Sequence, residues 1–325
     1  MYGLLLLLFS IPVAVLPTAF YVWLVWRIDR YEKEPFHLLL ATFVWGAVPA
    51  VIAAVIIELA FDVPLSALAP EYDAFLGTSI VGPLVEENLK ALALLGVWGL
   101  SRYEFDGVLD GIIYGSLVGF GFAMTENLFY LWGNVEAGFL SWLSIALGRT
   151  VMFGLNHAMF SALAGVGLSL GVQASSALRR WGFVLLGLGA AVTAHFFHNG
   201  LLVLSGSCLL SFLVDWLGVA LVLGMIVLAW RREKQWLQTY LAEEVRAGLL
   251  TAEQLAVVTS PRQRTMHRLR LLGRGDRARQ RAWRHLVDNA TELAFKKHQY
   301  ARKRDEALAH QIEELRRRIQ EEVVS

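Results

Sequence analysis

Cysteine is almost absent from this 325-residue chain: Cys208 stands alone, so no disulfide can form within one copy and a stapled extracellular fold is excluded. Charge is scarce too. Asp, Glu, Lys and Arg make up 18% of residues against 56% hydrophobic ones, and the mean hydropathy is +0.50, which excludes a soluble globule of this length. No basic residue precedes the first apolar run. Arg27, Arg30 and Lys33 follow it instead, the reverse of the order in a cleavable signal peptide, so the run is expected to remain as a span. Nor is there a visible repeat between the two halves of the apolar region, as an inverted-repeat transporter would show.

What the chain does have is apolar runs. A bilayer core about 30 Å thick takes roughly 20 helical residues. Runs of that length fall at 3–26, 38–60, 75–99, 108–131, 150–170, 182–204 and 208–229. They predict an all-α fold: a polytopic transmembrane bundle of about seven spans over residues 1–230, then a basic helical tail over 231–325. Charge divides at the same place. Residues 1–230 hold 8 Lys/Arg against 15 Asp/Glu, a net −7, and the tail holds 21 against 13, a net +8. The cations Arg27 to Lys33, Arg102, Arg179-Arg180 and those from Arg231 onward occupy alternate connections, so the N-terminus is expected outside the cell membrane and the tail in the cytoplasm. Segment 139–149, apolar but leading into a further span, is expected to be interfacial or re-entrant on the outer side.

Groups that resist lipid gather in the third to sixth runs: Glu86-Glu87-x-x-Lys90, Phe122-x-x-x-Glu126-Asn127, Asn156-His157 and His195-x-x-His198-Asn199. A carboxylate near mid-bilayer costs roughly 2.5–3.5 kcal/mol, so each calls for a reason. Plainer readings exist one by one: Lys90 pairing with Glu86 along a helix, Glu126 snorkelling to the interface, a histidine bonding between helices. Depth argues for a shared purpose. At 1.5 Å per residue from the expected outer ends, Glu126 lies about 8 Å down, His157 about 10 Å, His195 about 14 Å and Glu86 about 17 Å, compatible with one cluster in the outer half of the bilayer.

These patterns, together with Asp110-Gly-Ile-Ile-Tyr-Gly and Gly121-Phe122-Ala-Met-Thr-Glu126-Asn127, resemble the PrsW family of intramembrane proteases over roughly residues 20–230. More distantly they are similar to the CAAX prenyl protease and bacteriocin-processing group. The resemblance implies an intramembrane endopeptidase, a metalloprotease, that cuts a membrane-anchored protein near its outer side, with an anti-sigma factor of a bacterial stress cascade as one candidate. His198 departs from the pattern, since that position of the family's His-x-x-x-Asn step is usually apolar or aromatic. It leaves His195 or His198 as the metal-facing imidazole, with His195 preferred.

Elementary chemistry agrees with that resemblance. Cutting a peptide bond inside lipid takes water, a base for its proton and a positive group for the oxyanion. Two histidines and a carboxylate on separate helices can hold zinc with a fourth position open, and Glu126, His157 and His195 are the expected ligands. Either Glu86 or Glu87 would be the base, because neighbours on a helix point about 100° apart, and Glu86 is preferred because Lys90 shares its face. Asn199, one turn from His195, would hydrogen-bond the imidazole or the substrate carbonyl. A metal-free version uses the same residues, with a glutamate and a histidine activating water. Two other classes stay open: a secondary transporter or proton path built on the same polar residues, and a non-catalytic membrane sensor or scaffold.

The remaining polar positions carry less. Glu58 and Asp215 sit near span ends and receive no role, Asp106 and Asp110 suit a helix N-terminus, and Arg149 suits a headgroup anchor within reach of an oxyanion. Glycine series at Gly115, Gly119 and Gly121 and at Gly165, Gly167 and Gly171 offer small faces for close packing. In the tail, Thr251-x-Glu253 reads as a helix start, and breaks are expected at Gly248, Ser260-Pro261 and Gly273 to Gly275. The basic stretch Arg262–Arg284, with Met266, Leu269, Leu271 and Leu272 interleaved, is expected against anionic lipid headgroups, not nucleic acid, since no groove-reading motif accompanies it. The stripe Leu308, Ile312, Leu315, Ile319 is expected to pack on another tail or on the helix before it. The expected partners are therefore a single-span membrane substrate, membrane lipid and, for the tail, headgroups or a second copy.

Overall fold

A computed structural model describes residues 2–101, 105–205, 208–273 and 277–324, which form helices joined by short connections, with no strand among them. Arg102, one of the cations used for orientation, and Gly275 lie outside the described residues. The chain divides into two compact units, one holding Met1–Asp29 and Glu34–Ile226, the other Arg30–Lys33 and Val227–Ser325.

Unit one contains α1 (Tyr2–Ile28), α2 (Phe36–Trp45), α3 (Val51–Leu68), α4 (Asp73–Leu76), α5 (Gly82–Leu100), α6 (Val108–Gly133), α7 (Phe139–Leu147), α8 (Asn156–Val172), α9 (Ala177–Ser205) and the first half of α10 (Cys208–Arg246). Among the described residues, six helical runs are long and apolar enough to cross a membrane: Gly3–Ile28, Phe36–Leu68, Val108–Gly133, Phe139–Val172, Ala177–Leu204 and Cys208–Arg246. The chain is a multi-pass membrane protein. The stretch expected as the third span is helical as well, as α4, a π-helical turn at Gly77–Val81 and α5, and is set apart by the three charges of Glu86, Glu87 and Lys90. Segment 139–149 becomes α7 and runs through a second π-turn, Gly148–Met152, toward α8, so Phe139–Val172 forms one long apolar stretch.

α6 is the centre of the bundle, 78% buried along its apolar window, whereas α1 and α9 are 22% and 17% buried. The peripheral helices turn leucines such as Leu4, Leu8, Leu16 and Leu185 outward, as a lipid-facing surface requires. Glycine sets the spacing at the centre. A Cβ on Gly111, Gly115 or Gly119 would lie 2.2–2.4 Å from the carbonyl oxygens of Gly165, Ser161 and His157, so α6 and α8 touch backbone to backbone along an i, i+4, i+8 face. Gly167 and Gly187 meet in the same way and bring α9 against α8. Gly121 faces α2, not α8. Asp110 accepts the N–H groups of Gly107 and Asp106 at 2.6 and 2.8 Å, closing the start of α6 as a first-turn carboxylate should.

Unit two is a helical assembly: the end of α10, α11 (Ala252–Val258), α12 (Pro261–Gly273), α13 (Arg277–Lys303) and α14 (Glu306–Val324). Thr251 caps α11 by accepting the Gln254 N–H while Gln254 accepts that of Thr251, a reciprocal capping box. The core joins Leu237 and Leu241 to Leu250, Leu286, Leu293, Ile312, Leu315 and Ile319, so the α14 stripe packs within its own chain. Tyr31, from the connection after α1, is buried in this core.

Candidate functional site

Four helices, α5, α6, α8 and α9, bring the lipid-resisting groups together, each for a local reason. α5 starts with Pro83 in its first turn, where a missing N–H is harmless, and its next turn presents Glu86, Glu87 and Lys90 on the buried face. α8 begins at Asn156, immediately after a π-turn and a break, so His157 sits in a first turn pressed against Gly119 of α6. α9 carries His195 two turns beyond the Gly187 contact. A third π-turn, Gly46–Ala50, accepts the Thr125 hydroxyl at the Ala47 carbonyl, one residue before Glu126. Such turns re-aim side chains and recur at functional sites.

Lys90, 1% exposed, is at the middle. Its ammonium donates to Glu86 Oε2 at 3.0 Å, Glu87 Oε1 at 2.8 Å and His157 Nδ1 at 3.0 Å, and it lies 3.9 Å from the Phe122 ring centroid. An ammonium has no acceptor, so Nδ1 of His157 is the accepting nitrogen and the proton is on Nε2. That proton is donated to Glu126 Oε2 at 2.8 Å. Glu126 in turn receives Arg149 Nη2 at 2.5 Å, while Arg149 Nε donates to Asn127 at 2.8 Å. His195 Nδ1 is 3.0 Å from Glu87 Oε1 and donates to it, which leaves Nε2 as its lone-pair nitrogen. Ser161 donates to the other oxygen of Glu87 at 3.2 Å. The His195 ring stacks on Phe160 at 4.7 Å and meets His157 edge-on at 5.1 Å.

Glu86, Glu87, His157 and His195 each offer a ligand atom, all within 4.8 Å of one another and all buried. Two imidazoles with two carboxylates suit a small divalent cation, and the Lys90 ammonium shares three of the same four residues as a cation. Glu126 is outside this set and holds the far nitrogen of His157, the carboxylate–histidine arrangement that orients a metal-binding imidazole. Asn199 donates to the Thr78 carbonyl at 2.8 Å. His198 belongs to a separate group: its Nδ1 lies 2.7 Å from Asp215 Oδ2, which also accepts from Asn156 at 2.9 Å and from Ser211 at 3.3 Å.

A cavity of about 870 Å³ opens on the cluster, lined by Glu58, Glu86, Glu126, Arg149, His157 and His195 among others. Glu87 and Lys90 are behind this wall; Glu86 is on it. Sequence reasoning passed over Glu58, Ser161 and Asp215. Glu58 Oε1 is buried without a hydrogen-bond partner among the described residues, and a Cβ on Gly82 would lie 4.0 Å from it and 3.8 Å from Glu86 Oε1, so both carboxyls face one space. The signal for Asp215 was in the text: an acid one helical turn after Ser211 inside an apolar run.

Comparison with known proteins gives a consistent result. The profile of the PrsW family, described as intramembrane metalloproteases, matches residues 34–231. Protease PrsW of Clostridioides difficile (strain 630) is 31% identical over 163 residues, 48% of this chain and 63% of that protein. Protease PrsW of Bacillus subtilis (strain 168) is 33% identical over 143 residues, 41% and 62% of the two chains, and that of Geobacillus kaustophilus (strain HTA426) is 31% identical over 138 residues, 42% and 55%. The chain thus spans less than two thirds of the length of these relatives. No solved structure matches.

Proposed function

Since the chain belongs to the PrsW family of intramembrane metalloproteases, we propose that it hydrolyses a peptide bond of a membrane-anchored, single-span protein at the wall of the 870 Å³ cavity. The observation that carries this is the convergence of Glu86, Glu87, His157 and His195 within 4.8 Å, with Glu86 and both histidines on that wall and Glu87 directly behind it. His157, His195 and Glu87 would hold the ion, zinc by the chemistry of the set, and a bound zinc would supply Lewis acidity at the scissile carbonyl. The expected set has Glu126 with the histidines; we carry Glu87 forward because it, and not Glu126, lies with both imidazoles within 4.8 Å.

Glu86 is the base, since it alone of the carboxylate pair reaches the cavity. It takes a proton from water as the oxygen adds to the carbonyl carbon, then passes that proton to the amide nitrogen as the C–N bond breaks. Lys90 pairs with both glutamates and offsets part of their charge, and Glu126 keeps His157 in one tautomer. Arg149 holds Glu126 in place. From the loop cations we place the catalytic face toward the outside of the cell membrane and the tail in the cytoplasm.

The test is cleavage of single-span substrates by the protein in lipid nanodiscs, with metal content read on the same samples. Glu86→Gln should lower the rate at least about a hundred-fold. His157→Ala and His195→Ala should lose both zinc and cleavage. Full cleavage by Glu86→Gln would end the proposal; cleavage by wild type with no metal bound would move it to the metal-free version on the same residues.

A further inference from the structure

The tail carries an amphipathic helix with its apolar ridge turned out. On α12, Arg264, His267 and Leu271 form the inner face: Arg264 donates to the carbonyls of Val258 and Tyr31 at 2.7 and 3.2 Å, and His267 packs on Trp283 at 4.1 Å. The opposite face shows Met266, Leu269 and Leu272, at 47%, 57% and 48% exposure, in an i, i+3, i+6 row. At 100° per residue the row is flanked by Arg268 on one side and Arg270 on the other, with Arg262 in line at its start, all three exposed. Among the described residues, the core of unit two does not include this ridge. Residues 261–287 hold nine arginines and one acid, so the surroundings are of one sign.

We propose that this face docks on the anionic headgroup layer of the membrane that holds the spans, on the side where α1 ends. An apolar row a few side chains wide between arginines fits the boundary between acyl chains and charged headgroups, where leucines enter and guanidiniums meet phosphates. The chain also keeps the helix there. Arg264 grips Tyr31, which follows the last residue of α1, Ile28, by three positions, and three extended residues span only about 10 Å. A helix tied so close to the end of a span needs no search to find the bilayer. The inference is independent of the protease reading, since it uses only residues of unit two, the chain length back to α1 and the membrane character of the chain.

The experiment labels Leu269→Cys with a polarity-sensitive fluorophore in a Cys208→Ser background, with Glu321→Cys on α14 as the control site. The full-length protein is placed in nanodiscs of phosphatidylcholine alone or mixed with phosphatidylglycerol, with quenchers on the acyl chains. The proposal expects a blue shift and quenching at Leu269 only with the anionic lipid, none at Glu321, and loss of both at about 1 M salt, where the screening length is about 3 Å. Joint replacement of Arg262, Arg268 and Arg270 by Gln should lower the docked fraction roughly a hundred-fold, at about five-fold per arginine. Equal signals in the two lipids, or none in either, overturn it. So does a shift that appears in detergent as protein concentration rises, which assigns the face to a second copy, or one that requires added RNA.

Discussion

Lys90 and Glu244 are two wholly buried charges, each held by two of the opposite sign, and their surroundings differ in two respects. Lys90 donates to Glu86 and Glu87, and Glu244 accepts from Lys297 at 2.6 Å and Arg316 at 2.7 Å. Around Glu244 the cations also serve Glu243, Glu313 and the Tyr240 carbonyl, and the arrangement ties α10 to α13 and α14. Around Lys90 two imidazoles join, one carboxylate faces a cavity, and more acid is present than the ammonium can neutralise. A buried ion pair by itself is weak evidence of function, because structural ties use the same chemistry. What separates the two is the surplus of acceptors and access to the cavity.

The comparison breaks first at the carboxylates. Glu86→Gln should abolish cleavage, a loss of at least about a hundred-fold, while leaving thermal stability nearly intact. Glu244→Gln should do the reverse, leaving cleavage near wild type and loosening unit two by about 1–3 kcal/mol, a modest figure because the Arg316 side chain is 37% exposed. Cleavage and thermal unfolding measured on both variants decide it; equal loss of activity in the two would erase the distinction.

The cations sharpen it further. Lys90→Met leaves Glu86 and Glu87 without their ammonium and should cost about 3–5 kcal/mol, since an uncompensated buried charge is the expensive case. Added zinc should recover part of that loss, because the four-residue set gains a substitute cation, and a chelator should remove the recovery. Lys297→Met should destabilise less and show no response to zinc. Unfolding of the two variants with zinc and with chelator gives the answer, and a zinc response of equal size in both would count against the site.

Asp215 tests how far the site extends. It holds His198 on α9 and Asn156 at the head of α8, the helices that carry His195 and His157. Asp215→Asn should therefore lower kcat roughly ten-fold with little change in KM, the size expected when a group that orients another is altered. A change in KM alone would assign the acid to substrate binding.

How much of this was legible beforehand depends on what each residue needed. Glu86, Glu87 and Lys90 were visible because three charges inside an apolar run have no cheap structural explanation, and their i, i+3 and i+4 spacing fixes one helical face. The α14 stripe was visible as periodicity, though whether it packed inside or between chains was not. Which nitrogen of His157 meets Glu126 depends on the rotation of α6 against α8, set by glycine contacts that spacing alone does not resolve. The Tyr31 insertion into unit two is a tertiary event across more than 200 residues, and a connection reading Arg30 to Lys33 shows only its charge. Helix identity is local and legible; helix rotation and long-range insertion are not.

The smallest effect expected belongs to unit two and is one of pH. His298 stacks on Trp236 at 3.9 Å, and burial together with the Arg302 and Arg232 charges lowers its pKa from 6.5 to about 4. The folded tail thus favours neutral His298, while the unfolded tail takes up a proton below 6.5. Between those values the unfolded state binds more protons, so the contribution is complete above about 6.5 and is lost as pH falls toward about 4. Against the opposing effect of burial, the hydrogen bonds from Arg316 and Lys297 hold the Glu244 carboxyl below its usual range, so it gives no such slope at the window's upper end. Hydrogen exchange across α13, corrected for intrinsic rate, should show faster opening at about pH 5 than at about pH 7 in wild type. His298→Gln should flatten the difference, and an unchanged slope in that variant would move its origin to another residue of the tail.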